Sequence, residues 1–401
     1  MRGRLPALAA AGLRRVLMLL LGIGLVAAAE PGVCGASRAV WLGAAATVAG
    51  SSPSSARLLA ETGTRAGARA AACHHERGPF HVSGAVVNGS TGRYIPYGIN
   101  IVGLAHADYA DEVAGDEAQI AASARYWCAN TVRLQVGQAN LVSTTGRVNQ
   151  TFLAAVTSEV RFAEARGLVV VLNLQWQLDP EVLTESMPTQ RSEAFWGSLA
   201  FHFGNDPNVV FDIYNQPEQH APCGWAFWHY GGICHGHRYI GMQALADFVR
   251  ARASNLFWVE GIGAGSVLTQ AWRYRIASDG PLEYSEHRPP APHQSRTWDS
   301  EFGYIANRGD APVVEGEWAD YARSNAPWAC WNNAPVSAPR FLRYLQAHSF
   351  GLIMYKLVKG FLIETTNLND PTHFRRNWSC TDGLDQGVGN QAQHWFFQQN
   401  G

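Results

Sequence analysis

The stretch Leu168–Leu174, with the sequence LVVVLNL, decides the fold prediction. An unbroken apolar run of this length is typical of a strand that is buried on both faces, as in parallel sheets. The segment just before it, Thr151–Arg166, has an apolar face that runs from Phe152 to Val160, and Gly167 follows as a helix stop. A helix that leads into a doubly buried strand indicates a repeating β/α architecture.

Working outward from this strand, seven further β-rich runs fit the same pattern. They are Ile95–Ile101, Asn130–Val136, Asn208–Tyr214, Leu256–Gly261, Leu282–His287, Pro312–Glu317 and Phe350–Lys356. Between them lie four more amphipathic segments, which are Glu117–Trp127, Ser192–Phe203, Arg238–Ala253 and Ser337–Ala347. Eight strands, each followed by a helix, predict an α/β fold of the (β/α)8 TIM barrel type with long βα loops.

The residues before the first barrel strand have three different characters. Residues 1–29 combine arginines, an apolar run over Val16–Ala29 and a small-residue cleavage site, which predicts a signal peptide. The run has 14 residues, short of the roughly 20 that span a bilayer. Residues 30–72 are rich in Ala, Gly and Ser, which predicts a flexible linker. Residues 73–401 are the predicted barrel domain, and an N-terminal hairpin over 78–94, turning at Asn88-Gly89, should close its bottom.

The charge and the aromatic content of the sequence limit the classes of binding partner that we expect. Lys and Arg number 31 against 32 Asp and Glu, for a net charge of −1, and this balance gives no overall sign of the basic face that a nucleic acid requires. We therefore expect no nucleic-acid partner, and no membrane partner once the signal is removed. The chain has 14 Trp, 13 Tyr and 17 Phe, enough aromatic surface for a core and for sugar-stacking platforms. The sequence does not indicate an oligomeric state.

Seven cysteines in an exported chain favour disulfides. With Cys34 set aside in the linker, the preferred pairs join neighbours in sequence, although sequence alone leaves the connectivity open. They are Cys73–Cys128, Cys223–Cys234 and Cys330–Cys380. A zinc site made of Cys223, Cys234, His235 and His237 is an alternative, but the spacing matches no common zinc pattern. No catalytic metal or organic cofactor is implied.

In a TIM barrel the active site lies at the carboxyl ends of the strands, so polar residues there are the candidates. Those singled out are Arg133, Gln175, Trp176, Asn215, Gln216, Glu218, His287, Glu317, Trp318 and Tyr355. A carboxylate that ends the seventh strand and faces a polar group at the end of the fourth suggests glycosidic chemistry. In the retaining route one carboxylate is the nucleophile and a second group is the acid. Glu317 is the predicted nucleophile, and Arg133 would keep it ionised. Glu260, on the fifth strand, is expected to be a core residue.

Four motifs in this order resemble glycoside hydrolase family 5, the cellulase-like barrels, over residues 78–400. They are NTVRLQV at 130–136, Asn-Gln-Pro at 215–217, YSEH at 284–287 and PVVEGEW at 312–318. The resemblance implies retaining hydrolysis of a β-linked poly- or oligosaccharide. By position, Glu317 matches the family's nucleophile, and Asn215 matches the residue that binds the sugar 2-hydroxyl. Arg133 and His287 match conserved site positions.

Three departures from the family pattern matter for function. The acid/base Glu of the family is Gln216 here, the strand-eight Trp is Tyr355, and a strand-three His is Gln175. An amide cannot donate a proton, and general acid catalysis contributes about 10²–10⁴-fold. We therefore expect weak turnover of natural glycosides and retained sugar binding, with Tyr355 still a sugar platform.

Two alternatives follow from Gln216. The protein could be a carbohydrate-binding pseudoenzyme that keeps the cleft without efficient turnover. It could instead be a hydrolase or transglycosylase with a relocated acid, for which Glu218 is the candidate because it lies two residues further along. Trp176 and Trp318, beside the strand ends, are the tryptophans favoured for stacking on a sugar. The sugar and its linkage are not named by the sequence.

Overall fold

The computed structural model describes residues 73–177, 186–217, 223–287, 297–318, 334–373 and 387–401. All of these belong to one structural unit, Ala56–Gly401. The predicted signal peptide at 1–29 and the linker at 30–72 lie outside the described residues, as do Cys34, Cys330 and Cys380. No helix among the described residues is long and apolar enough to span a membrane.

Eight parallel strands close into a barrel, and each coincides with one of the eight predicted runs. They are β3 (Tyr97–Ile101), β4 (Thr131–Gly137), β5 (Val169–Gln175), β6 (Val209–Asp212), β9 (Phe257–Glu260), β10 (Leu282–Glu286), β11 (Val313–Trp318) and β12 (Gly351–Met354). Neighbours in sequence pair all round the barrel, and β12 pairs with β3 to close it. The predicted (β/α)8 fold is confirmed.

Helices of at least ten residues cover the outside of the barrel. They are Tyr109–Tyr126, Gln150–Glu164, Gln190–Phe203, Gly241–Arg250, Ala334–His348 and Gly389–Asn400. The first five overlap the five predicted amphipathic segments, and the last was not predicted. Residues 261–281, which follow β9, form turns and isolated bridges in place of the expected helix.

Strand alternation separates the core into two parts. Outward residues such as Val132, Leu134 and Leu172 pack with the helices in one large apolar cluster. Inward residues at the amino ends of the strands, including Val169 and Val314, form a second cluster inside the barrel. Because successive side chains of a strand face opposite ways, the positions above these on the same face point to the barrel axis.

The N-terminal hairpin lies at the bottom of the barrel, as predicted, but it turns at a different place. Its strands are β1 (His81–Ser83) and β2 (Val86–Asn88), so the turn is at Gly84 and Ala85. The predicted two-residue turn at Asn88-Gly89 is corrected: the chain reverses first at Gly84, whose φ is +58°, and again over Gly89–Gly92, where Asn88 pairs with Arg93. Phe80 and Val87 from this segment join the inner apolar cluster.

Two of the preferred disulfides are present. Cys73 is bonded to Cys128, with Cα atoms 5.5 Å apart, and this bond ties the start of the domain to the segment before β4. Cys223 is bonded to Cys234, the last residue of β7 (Gly232–Cys234), which forms a small hairpin with β8 (His237–Tyr239). This bond also corrects the zinc alternative, since neither sulfur is available as a thiolate ligand.

Candidate functional site

A layer of polar side chains fills the carboxyl-terminal half of the barrel, above the inner apolar cluster. Its fully buried members are Asn100, Arg133, Asn173, Asp212, Glu260, Ser285 and His287. Buried polar groups are costly unless they are paired, and in this layer Asn100, Asp212 and Glu260 all pair with Arg133. Most of its members come from different strands, which is how a TIM barrel assembles a site.

Arg133 is the centre of this network. Its guanidinium group donates hydrogen bonds to side chains from four other strands or strand ends, while its own exposed fraction is 0%. The acceptors are Asp212 at 2.8 Å, Asn100 at 2.8 Å, Asn215 at 2.8 Å, Glu317 at 3.1 Å and Glu260 at 3.2 Å. A planar group with five donors in a fixed geometry fixes the relative positions of its acceptors. Arg133 therefore ties the nucleophile candidate to Asn215 at the end of the fourth barrel strand.

Glu317 lies at the end of β11 and its side chain is 16% exposed. Its Oε2 accepts hydrogen bonds from Arg133 Nη1 at 3.1 Å and from Gln135 Nε2 at 2.8 Å. Two donors on one oxygen fix the carboxylate in position and leave the other oxygen for chemistry. The structure thus places the predicted nucleophile where one face of it is open.

A β-bulge turns Glu317 toward the barrel axis. The register of β11 against β12 shifts between Glu315 and Trp318, so the inward and outward positions exchange there. Gly316 allows this bend, because a Cβ at that position would overlap the Ser285 Oγ. Without the bulge, alternation from the inward Val314 would direct Glu317 outward, toward the helices.

Three carboxyl groups surround the single guanidinium, and burial dominates their acidity. Burial raises the pKa of Glu260 well above its usual range and raises that of Asp212, although Arg133 opposes both shifts. Burial also raises the pKa of Glu317, and again Arg133 opposes the shift. Arg133 is thus the positive charge that opposes the effect of burial on all three carboxyl groups.

His287 is buried and lies beside Glu260, with its Nε2 3.1 Å from Glu260 Oε1. Burial lowers the pKa of His287 well below its usual range, and the nearby Arg133 lowers it further. The ring is therefore neutral at physiological pH. Asp212, Glu260 and His287 have ligand atoms within 4.8 Å of one another, as a metal site would require. The cation that the two carboxyl groups contact in this structure is Arg133.

Gln216 follows β6 and belongs to the same network. Its backbone N–H donates to Glu260 Oε2 at 2.6 Å, and its side-chain Oε1 accepts from Gln177 Nε2 at 2.5 Å. Its φ of 47° is a left-handed conformation that a residue with a side chain rarely adopts. Asn215, just before it, is buried and donates from Nδ2 to Gln177 Oε1 at 2.6 Å.

The predicted aromatic contacts lie in different environments. Burial raises the pKa of the Tyr355 hydroxyl and the charge of Glu317 raises it further, so Tyr355 lies within electrostatic reach of the nucleophile candidate. Trp176 is 2% exposed and donates from Nε1 to the Asn215 carbonyl at 2.6 Å. Trp318 is 4% exposed and packs against Phe341 at 5.4 Å. The two tryptophans are thus core residues that support the site, and neither ring offers an open face to a sugar.

The remaining predicted residues are Gln175, Glu218 and Glu260. Gln175 is buried and donates to Gln177 Oε1 at 2.5 Å. Glu218 lies outside the described residues, so the relocated-acid hypothesis stays a prediction. Glu260 is a core residue as expected, fully buried, and its partners there are Arg133, His287 and the Gln216 backbone.

Among the residues that sequence reasoning missed are Asn100, Gln135, Gln177 and Asp212. A signal for two of them was present: Gln135 and Gln177 each lie two residues beyond a predicted site residue, Arg133 and Gln175. Residues two apart on a strand share a face.

Comparison with known proteins concerns the family and the fold. Residues 92–358 match the family model described as cellulase (glycosyl hydrolase family 5). No curated protein sequence matches the chain. Several solved structures share its fold. A β-glucanase from Saccharophagus degradans has 17% sequence identity and a TM-score of 0.59, covering 83% of this chain and 96% of its own.

Two further structures are similar in fold. A β-mannanase from Thermomonospora fusca has 16% identity and a TM-score of 0.55, covering 73% of this chain and 91% of its own. An endocellulase from Pyrococcus horikoshii, solved as a complex with cellotetraose, has 14% identity and a TM-score of 0.54. It covers 73% of this chain and 96% of its own. At these identities the likeness concerns the fold.

Proposed function

Because the chain belongs to glycoside hydrolase family 5, we propose that it acts on β-linked poly- or oligosaccharides by the retaining route. Glu317 is the proposed nucleophile and Gln216 occupies the position of the acid/base. The observation that carries this proposal is the single network in which Arg133 joins Glu317 to Asn215, next to Gln216. Solved structures of a β-glucanase, a β-mannanase and an endocellulase have a similar fold, which is consistent with a β-glycan ligand for this protein.

The proposed first step uses groups that are all in the network. The Glu317 carboxylate attacks the anomeric carbon, and the bond from that carbon to the leaving oxygen breaks. Arg133 and Gln135 hold the carboxylate in position, and Asn215 is the proposed contact of the sugar 2-hydroxyl. Without a proton from residue 216, a sugar leaving group departs slowly, which reduces turnover of natural glycosides by about 10²–10⁴-fold.

The test is covalent trapping. A 2-deoxy-2-fluoro-β-cellobioside with a dinitrophenolate leaving group needs no acid, and it should form a stable adduct on the peptide that contains Glu317. Mass spectrometry of the digested protein locates the adduct. Glu317→Gln should abolish it, and Glu193→Gln, at a partly exposed acid on a surface helix, should not. An adduct at another residue, or none with gluco- and manno-configured probes, would contradict the assignment.

The second candidate is a carbohydrate-binding protein without turnover, which the amide at residue 216 favours. Gln216→Glu distinguishes the two. A gain in cellotetraose hydrolysis of about 10²-fold or more supports an enzyme whose acid position is correctly placed. Binding of cellotetraose with no hydrolysis by either form supports the binding protein.

We also propose that the protein is secreted. The support is the sequence of residues 1–29 and the disulfide bonds Cys73–Cys128 and Cys223–Cys234, which form in oxidising compartments. The proposed partner is a poly- or oligosaccharide.

A further inference from the structure

The amide side chains at the ends of β5 and β6 form a directed chain of hydrogen bonds. From it we infer that the site cleaves β-glycosides whose aglycone is itself an acid, such as a phenol or a carboxylic acid. Gln216 would assist the departing oxygen with an N–H hydrogen bond, without transferring a proton. This inference rests on the proposed function, because it takes Glu317 as the nucleophile.

Arg133 sets the direction of the chain. A guanidinium group has donors only, so the atom of Asn215 that it contacts at 2.8 Å must be the oxygen, Oδ1. The other end of the Asn215 amide is then the nitrogen. That nitrogen donates to Gln177 at 2.6 Å, so the atom of Gln177 facing it must be Oε1.

The same reasoning continues to Gln216. Gln177 Oε1 also accepts from Gln175 Nε2 at 2.5 Å, which leaves Gln177 Nε2 as the donor to the next residue. It donates at 2.5 Å to Gln216, whose contacting atom must therefore be Oε1. Gln216 is partly exposed, whereas Asn215 is buried. The group that Gln216 can offer to a ligand is its NH₂, a donor with no transferable proton.

The backbone of Gln216 is fixed as firmly as its side chain. Its N–H donates to Glu260 Oε2 at 2.6 Å, and Trp176 Nε1 holds the preceding carbonyl at 2.6 Å. Its φ of 47° is maintained by these contacts. Residue 216 thus presents a pre-oriented N–H donor, the kind of group that stabilises negative charge on a leaving oxygen.

The reaction balances without an acid when the aglycone is acidic. Glu317 forms a bond to the anomeric carbon, and the bond from that carbon to the aglycone oxygen breaks. The electron pair leaves with the oxygen as a phenolate or carboxylate. In the second step water attacks the anomeric carbon, the bond to Glu317 breaks, and the water proton passes to solvent. With no base at residue 216, this second step is slow, so the glycosyl-enzyme accumulates.

The experiment compares aryl β-cellobiosides whose phenols span a wide range of acidity, using the full chain and its Gln216→Glu variant. For the unaltered protein, kcat/KM should rise steeply with phenol acidity. The variant should show a much weaker dependence, because protonation helps poor leaving groups most. With the most acidic phenol the two should agree within about tenfold, and with cellotetraose the unaltered protein should be slower by about 10²–10⁴-fold. With the most acidic phenol, the unaltered protein should also release a burst of phenol, because the glycosyl-enzyme accumulates. Azide, a nucleophile that needs no base, should increase the steady-state rate.

Two failures are distinguishable. If the unaltered protein shows the same weak dependence on phenol acidity as the variant and hydrolyses cellotetraose equally fast, another group donates the proton. The inference is then wrong while the proposed function stands. If neither protein reacts with any aryl glycoside, in the gluco or manno series, and no adduct forms on Glu317, the proposed function fails as well.

Gln177→Glu tests the direction of the chain itself. A carboxylate at residue 177 only accepts hydrogen bonds, so Gln216 would have to turn its NH₂ toward it and present its oxygen to the leaving group. We expect a fall of tenfold or more in the rate of phenolate release in single-turnover experiments, with cellotetraose binding retained. Gln177→Met removes the contact without reversing it and should reduce the rate less. Equal effects of the two variants would overturn the assigned direction.

Discussion

Glu159 provides a quantitative test of the electrostatics outside the site. It lies on the helix Gln150–Glu164, is 0% exposed, and has two carboxyl oxygens without a hydrogen-bond partner. Burial, with a contribution from the nearby Asp116, raises its pKa from 4.5 to about 9. The folded protein therefore keeps a proton on Glu159 at neutral pH that the unfolded chain has lost.

The sign and size of the effect follow from this difference. Where the folded state binds the extra proton, the free energy of unfolding falls as pH rises, by about 1.4 kcal/mol per pH unit. For Glu159 the window runs from pH 4.5 to about 9. The loss between pH 5 and pH 7 is about 2.7 kcal/mol. Burial raises the pKa of Asp116 to about 7, which adds a loss of the same sign at lower pH.

Glu159→Gln should remove the Glu159 contribution. We expect the variant to be more stable than the unaltered protein by about 3 kcal/mol at pH 7, with the difference shrinking toward zero near pH 4.5. The assay is urea unfolding, followed by tryptophan fluorescence at several pH values. Asp111→Asn, an exposed acid on the helix that carries Asp116, should leave the pH dependence unchanged. The reasoning would be refuted if the free energy of unfolding of Glu159→Gln fell with pH as steeply as that of the unaltered protein, or if the variant were less stable than the unaltered protein at pH 8.

Three further predictions concern the site and the framework. The kcat/KM of the unaltered protein for an acidic aryl glycoside should fall as pH drops through the raised pKa of Glu317, and should show no alkaline decline from a catalytic acid, as a pH–rate profile will show. Gly316→Ala should lower stability by about 1–3 kcal/mol and slow adduct formation, and adding Ser285→Ala should recover part of both in thermal melts and trapping. Replacing Cys73 and Cys128 together by Ser opens a link between residues 55 apart and should cost about 4 kcal/mol in urea unfolding; a change below about 1 kcal/mol would contradict it.

The strands were predictable because runs of apolar residues in the sequence indicate that they are buried. LVVVLNL is apolar along nearly its whole length, and that property depends on local composition alone. The turn at Gly84 and the helix Gly389–Asn400 were missed for local reasons as well. A two-residue turn depends on one φ angle, and the helix has polar residues on several sides.

The site was only partly predictable, because its roles depend on contacts between strands. Family motifs identified Arg133 and Glu317. They did not show that Glu260 accepts a hydrogen bond from the Gln216 backbone N–H. That contact joins the fourth barrel strand to the fifth. The inward turn of Glu317 depends on a bulge, which the sequence shows only as Glu-Gly-Glu at 315–317.

The surroundings of residue 216 fit an amide better than an acid. A general acid must hold its proton until the leaving group takes it, so its pKa must be near the working pH. Gln177 directs an N–H at the side-chain oxygen of residue 216, and a donor to a carboxyl group favours its ionised form and lowers its pKa. Gln177 is itself held by Asn215 and Gln175, so it cannot turn its oxygen toward residue 216 without losing both bonds. Gln216→Glu alone should therefore give an acid that works best at low pH, where Glu317 begins to lose its charge. The gain in cellotetraose hydrolysis from Gln216→Glu should therefore be largest at low pH, and a further change at Gln177 should extend that gain toward neutral pH, which makes the two glutamines one functional unit.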